Sequence, residues 1–154
     1  MLSEKKRYML RPIVEKEAIA YAVGIVTASE IDEINILQAS FLAMHRALEQ
    51  LKTEPQHILV DGNRFKKYKH IPHTCVVKGD SKFYAIAAAS ILAKTYRDDF
   101  MANIYEKYPH YDWYKNKGYP TKAHRNAIRK HGTTPYHRLS FKLLPEEEKQ
   151  TTFY

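Results

Sequence analysis

Apolar and polar positions follow several distinct patterns along the 154 residues, and each pattern predicts a different element. Ser3 precedes a charged stretch, M-L-S-E-K-K-R-Y, and reads as the N-cap of a helix running from about Glu4 to Ala18. Pro12 falls inside it, and without the N–H that the helix ladder needs it is expected to kink or divide the helix. Ile19 to Val26 is a continuous apolar run, I-A-Y-A-V-G-I-V, which predicts a strand buried on both faces. T-A-S-E-I-D-E offers another N-cap region, after which Ile34, Leu37, Phe41, Met44, Leu48 and Leu51 recur at three- and four-residue steps. That is the period of an amphipathic helix. T-E-P-Q ends it, and His57 to Val60 is a short apolar strand. Strand, long helix, strand predicts a βαβ unit with a right-handed crossover.

Beyond a basic loop, N-R-F-K-K-Y-K-H-I-P-H, residues His73 to Lys78 predict a third strand. A helix from about Lys82 to Lys107 follows. It opens in A-I-A-A-A-S-I-L-A-K, with alanines on nearly every side, so it is expected to be buried and to approach the sheet closely. Y-P-H-Y-D-W-Y-K-N-K-G-Y-P reads as an aromatic and basic loop, and Thr121 as the cap of a short basic helix ending near Lys130. H-G-T-T-P-Y-H-R-L-S-F closes the fold. The result is one α/β domain over residues 1–144, followed by a polar tail over 145–154, with no internal repeat and no linker.

Composition narrows the partners. The formal charge of +8 and pI of about 9.4 favour anionic partners, nucleic acid first. Cys75 is the sole cysteine, which excludes an internal disulfide and a cysteine-based metal site. The charged start has no apolar segment behind it that would make a signal peptide. The longest apolar run, Phe83 to Ala93, is too short to span a bilayer and is closed by Lys94. A monomer in the reducing cytoplasm is the expectation.

The candidate chemistry lies between His57 and Lys94. Asp61 ends one apolar strand, where open α/β sheets place their ligand sites, although Asp-Gly is also ordinary turn chemistry. Asp80 ends the next, and an acid there can equally cap the helix behind it. Their parallel placement raises both: two strand-end acids can hold a pair of divalent ions about 4 Å apart, as in phosphodiester hydrolysis. Oxygen-only ligands suit Mg²⁺ or Mn²⁺ rather than zinc. Asp98 and Asp99, further down the same helix, read as solvated or ion-paired residues with Arg97 as a partner, and Asp98 is the runner-up ligand. The eight histidines show no ligand spacing and are expected mostly at the surface. In K-N-K-G-Y-P-T, Lys117 and Tyr119 offer a cation for phosphate and a ring for a base or sugar, or simply a surface loop with one packed tyrosine. His137 and Arg138 either reach phosphate or pin the C-terminal segment.

Taken in order, E-I-D-E-I-N-I-L-Q-A-S-F-L-A-M-H-R-A-L, V-D-G-N, V-V-K-G-D-S-K, A-A-A-S-I-L-A-K, Y-R-D, N-K-G-Y-P-T-K-A-H and H-R-L-S-F resemble bacterial ribonuclease HII from Leu2 to about Leu144. Each motif is weak alone, whereas the ordered set is highly specific. The resemblance implies a ribonuclease H-like mixed sheet flanked by helices, with a C-terminal helical segment. It also implies metal-dependent cutting of the RNA strand of RNA–DNA hybrids and of single ribonucleotides embedded in duplex DNA. Four acids hold two metals in that family; Asp61 and Asp80 match the third and fourth, as catalytic residues and ligands. Tyr119 corresponds to the tyrosine that senses the ribose-to-deoxyribose junction, and Asn63, Lys117 and Arg138 complete the expected substrate-contacting set. The implied chemistry is attack of an activated water on the scissile phosphate, with the 3′-oxygen leaving.

One departure bears on all of this. The family's D-E-x-G-R-G motif, which carries the first two acids and grips the 2′-hydroxyl, is not found in these residues. Glu30, Asp32 and Glu33 do not replace it, because E-I-D-E matches the family's own helix start. The first two strands of the family's sheet are absent with it, and they belong between Ile19–Val26 and His57–Asp61. The expectation is therefore an N-terminally truncated chain with unpaired strand edges, poorly stable and inactive alone. The competing expectation is a non-catalytic nucleic-acid-binding remnant, and a weaker third is a basic structural protein of a ribonucleoprotein.

Overall fold

The computed structural model describes residues 2–144. Helix α1 spans Glu4–Glu17, and Ser3 caps it by accepting from the Lys6 N–H. Pro12 lies inside this helix without dividing it. No α1 side chain is fully buried; the helix is held to its neighbour by charged and aromatic contacts instead.

Residues 18–27 then run extended, but Ile19–Val26 joins no sheet. This corrects the expected strand buried on both faces: Ile19 is 94 % exposed and Ile25 is also exposed. Among the described residues its main chain makes no main-chain hydrogen bond; the Val23 and Ile25 carbonyls accept instead from Gln50 and Arg46 side chains. Gly24 is the close contact. A Cβ there would sit 1.9 Å from the Ala43 carbonyl oxygen, so only glycine lets the segment lie on the next helix.

That helix, α2 (Ala28–Glu49), opens with a capping box in which Thr27 and Glu30 satisfy each other's amides. The apolar period predicts one continuous helix, whereas Asn35 breaks it with φ 66°. Asn35 then caps the second part, its side-chain oxygen accepting from the Leu37 and Gln38 amides. At φ 66° and ψ 164° Asn35 lies outside the helical and αL regions, a backbone conformation rare for a residue with a side chain, and the two cap hydrogen bonds help to hold it there.

Strands β1 (Ile58–Asp61) and β2 (His73–Val76) form the only sheet among the described residues, a parallel pair in the register Val60↔Cys75 and Asp61↔Val76. The expected βαβ unit through α2 is therefore not closed, since Ile19–Val26 does not pair. Instead residues 62–72 cross between the two strands without a helix. They bury Tyr68 and Ile71 with Ile58 and Val60, and Met44 and Leu48 of α2 cover the cluster. β2 is shorter than expected because Lys78 takes a left-handed turn, φ 56°, into a 3₁₀ turn at Gly79–Ser81.

Helix α3 (Tyr84–Lys107) follows, with Phe83 at its N-cap position and no side-chain cap. Its alanine-rich start is not buried all round: Ala85 and Ala89 are exposed while Ile86, Ile91 and Leu92 are buried. The short helix α4 (Trp113–Asn116) and the basic helix α5 (Lys122–His131), capped by Thr121, complete the chain. They gather a second core around Tyr111 and Trp113. The expected tail over 145–154 lies outside the described residues.

Candidate active site

Two local rules bring the predicted acids together. Parallel pairing makes β1 and β2 end side by side, and the left-handed turn at Lys78 folds the chain back over the end of β1. The Gly79 N–H then donates to Oδ1 of Asp61 at 2.9 Å, so Asp61 is tied to the residue just before Asp80. Gly79 packs closely under α3, where a Cβ would fall 2.5 Å from Ile86 Cδ1 and oblige that side chain to move. Asp61 and Asp80 are both exposed, and the Asp80 carboxylate has no hydrogen-bond or ion-pair partner among the described residues. Asp80 does not cap α3, whose N-cap position is Phe83.

Hard carboxylate oxygens with free lone pairs fit a divalent ion such as Mg²⁺ or Mn²⁺ in donor type. In number they are few: no group of three or more His, Cys, Asp or Glu side chains able to hold a metal occurs among the described residues. Asp98 is not in such a group. It is buried and paired with Arg7 at 3.1 Å, and Asp99 is paired with Arg11, so the expected partner Arg97 is replaced by two arginines of α1. Burial first, and the hydrogen bond to Asp99 second, raise the Tyr8 phenol well above its usual range.

Arg97 turns the other way, toward the loop carrying Lys117 and Tyr119. Its Nη2 donates to the Lys117 carbonyl at 2.6 Å and its guanidinium lies 6.0 Å from the Tyr119 ring. Buried Asn116 shapes this loop, donating to the Tyr111 carbonyl and accepting from the Gly118 N–H. Lys117 and Gly118 adopt positive φ, which presents Tyr119 at 67 % exposure. Lys117 Nζ lies 4.9 Å over Tyr114. The loop is thus a built platform with a free ring at its tip rather than a packed tyrosine.

Arg138 stacks on Phe141 at 3.9 Å, and burial together with nearby Arg97 lowers its pKa. Asp32 holds this segment: its carboxylate accepts from the Leu139 and Ser140 amides and the Ser140 hydroxyl, which lower its pKa. Sequence reasoning set Asp32 aside as part of a helix start, and a contact over such a chain separation leaves no local signal. His137 pins the same segment, accepting from the Thr134 N–H at 2.9 Å. It is buried and stacked on His124; these two are the exceptions to the expectation that most histidines lie at the surface, since the other six are exposed or half-buried. For His124 a signal existed, because it shares the i, i+3, i+4 buried stripe of Ala127 and Ile128. Asn63 lines an open cleft to which no residue of the Tyr119 loop contributes.

No helix among the described residues is long and apolar enough to cross a membrane. Residues 1–144 match the family model described as Ribonuclease HII. The chain is 66% identical over 152 residues to the Ribonuclease HII of Bacteroides thetaiotaomicron, covering 99% of this chain and 76% of that one. It is 71% identical over 143 residues to that of Phocaeicola vulgatus, covering 93% and 71%. The crystal structure of the ribonuclease H2 from Pyrococcus horikoshii OT3 superposes with a TM-score of 0.73 at 26% identity, over 93% of this chain and 75% of that one. With the ordered motifs, the tied strand ends and a fold shared with a ribonuclease H2, the chain belongs to the ribonuclease HII family of ribonuclease H-type endonucleases.

Proposed function

We propose that this chain carries two of the four acids of an enzyme that hydrolyses the RNA strand of RNA–DNA hybrids and cuts at ribonucleotides embedded in duplex DNA, using Mg²⁺ or Mn²⁺ in the cytoplasm. These residues alone are expected to cut little or not at all. The hydrogen bond from Gly79 to Asp61 carries this reading, because it sets the Asp61 carboxylate beside the turn that bears Asp80. Asp61 and Asp80 would hold the metal, whose bound charge polarises the scissile phosphate. Everything else falls to the chain's own side chains. The exposed Tyr119 ring packs against a sugar or base, Lys117 and Arg138 meet phosphates, and Asn63 contacts the strand beside Asp61. Asn116 and Arg97 hold the loop in position from behind.

A second reading, nucleic-acid binding without cleavage, is favoured by one observation: these two acids are not joined by a third ligand among the described residues. Two measurements on the purified protein separate them. Mn²⁺ binding followed by electron paramagnetic resonance is expected to weaken at least about tenfold in Asp61→Asn and in Asp80→Asn. Any cleavage of a duplex with one ribonucleotide is expected to fall by a factor of about 10²–10³ in either variant, the cost of removing a group that stabilises transition-state charge. Hybrid binding with no Mn²⁺ affinity and no cleavage selects the second reading.

A further inference from the structure

An open cleft of about 560 Å³ lies between α2, the crossing segment 62–72 and β2, and neither proposed acid lines it. This volume is in the range that takes a ligand of nucleotide size. Its walls are of two kinds. Phe65 is half-buried and supplies the aromatic surface, backed by the largely buried Phe41 at 6.3 Å and packed by His45 at 5.4 Å and His73 at 5.1 Å. Arg64 and Lys66 supply charge, and neither side chain has an acidic partner among the described residues.

The cleft is preformed. Tyr68 and Ile71 anchor the crossing segment in the core beneath it, and His45 Nε2 lies 2.8 Å from the Lys66 carbonyl oxygen, fixing the rim. The amides of Gln38 and Asn63 add paired donors and acceptors, the pattern that a base edge complements. An aromatic wall beside two uncompensated cations is the arrangement that receives a base and its phosphate together.

We infer that this cleft binds a single nucleotide, its base against Phe65 and its phosphate between Arg64 and Lys66. The same chemistry comes from a free mononucleotide or from the unpaired last nucleotide of a strand. Asp61 does not line the cleft, although Asn63 is shared with the proposed nuclease surface, so protection of the cleft in Asp61→Asn separates failure of this inference from failure of the nuclease reading.

Cys75 lines the cleft and is the chain's sole thiol, which gives a direct readout. Alkylation of Cys75 by iodoacetamide is expected to slow about tenfold once adenosine monophosphate reaches roughly ten times its Kd, since only the open fraction reacts. In Arg64→Gln/Lys66→Gln the slowing is expected to vanish, read as the ratio of the rates with and without nucleotide in that variant, because nearby charge alters the thiol's own reactivity. A duplex with a one-nucleotide overhang that protects where a blunt duplex does not assigns the strand end. Protection by the monophosphate but by neither duplex assigns the free nucleotide. Three results overturn the inference: no protection by any of these, equal protection by inorganic phosphate, or protection that survives the double substitution.

Discussion

The two ends of this molecule are built on opposite economies. Around β1 and β2 a two-stranded parallel sheet carries the proposed acids. It leans on α2 through Met44 and Leu48, and residues 19–26 lie nearby with no main-chain bonds of their own. Two strands alone are marginal in water, so this half depends on its helices. From Met101 onward the chain does the reverse. Tyr111 and Trp113 stack at 5.0 Å, His124 and His137 close over them, and Met101, Ile104 and Ile128 seal the cluster. The platform under Tyr119 is tied into that cluster through Asn116 and the Tyr111 carbonyl. The proposed acids thus sit on the more open part, and the surface proposed to grip the substrate sits on the more closed one.

That contrast predicts very unequal sensitivity. Trp113→Ala removes a ring that is 2 % exposed from the centre of the closed half. The expected loss is about 3–5 kcal/mol by urea unfolding, the usual cost of deleting a large buried aromatic. A loss below about 1 kcal/mol would mean the aromatic cluster does not hold the C-terminal half together.

Next comes the clamp that joins α1 to α3. The Arg7 and Asp98 side chains are 15% and 10% exposed, so removing one leaves a largely buried charge unpaired. Asp98→Ala is expected to cost roughly 1–3 kcal/mol, below the full buried-pair value because some water remains. The surface pair Lys16–Glu17, at 83% and 70% exposure, is the control and should be worth about 0–1 kcal/mol. If both behave alike, α1 is not fastened by its charges.

Much of this was readable from the sequence, and what was not follows a physical pattern. Periodicity located α1, α2, α3 and α5 because each repeats an apolar or capping signal within a few residues. Asp61 and Asp80 were legible as strand-end acids, since the apolar runs before them are short and uninterrupted. The Asn35 break was hidden because the apolar spacing continues across it, although asparagine was the cue. Ile19–Val26 has every local mark of a strand and forms none: pairing is a property of neighbours, which no window of one segment contains. The partners of Asp98, Asp99 and Asp32 were missed for the same reason, lying 88 or more residues away.

Acid should probe the closed half selectively. Burial, and then the neighbouring His124, lower the His137 pKa, so the fold favours its neutral form. The unfolded chain takes up this proton near pH 6.5 while the folded chain resists it. Stability contributed by neutral His137 is therefore full above about pH 6.5, declines as the pH falls toward the lowered folded value, and levels off below that. Trp113 fluorescence against urea at stepped pH measures it, and His137→Phe should flatten the slope. An unchanged slope would assign the acid sensitivity elsewhere.

The smallest expected effect on stability is at Ile19 and Ile25, and it tests the open half directly. Both side chains are exposed on a segment that joins no sheet, so Ile19→Thr with Ile25→Thr should change the unfolding free energy by only about 0.5 kcal/mol. The same change should act strongly on association. An apolar segment outside any sheet, with only the Val23 and Ile25 carbonyls held by side chains, is a template for edge pairing, and removing two large apolar side chains weakens what another chain would bury against it. Light scattering at rising protein concentration is expected to show less self-association in the double variant. A loss of stability well above 1 kcal/mol, with association unchanged, would mean that residues 19–26 are covered rather than open, and the contrast between the two halves would fail at this segment.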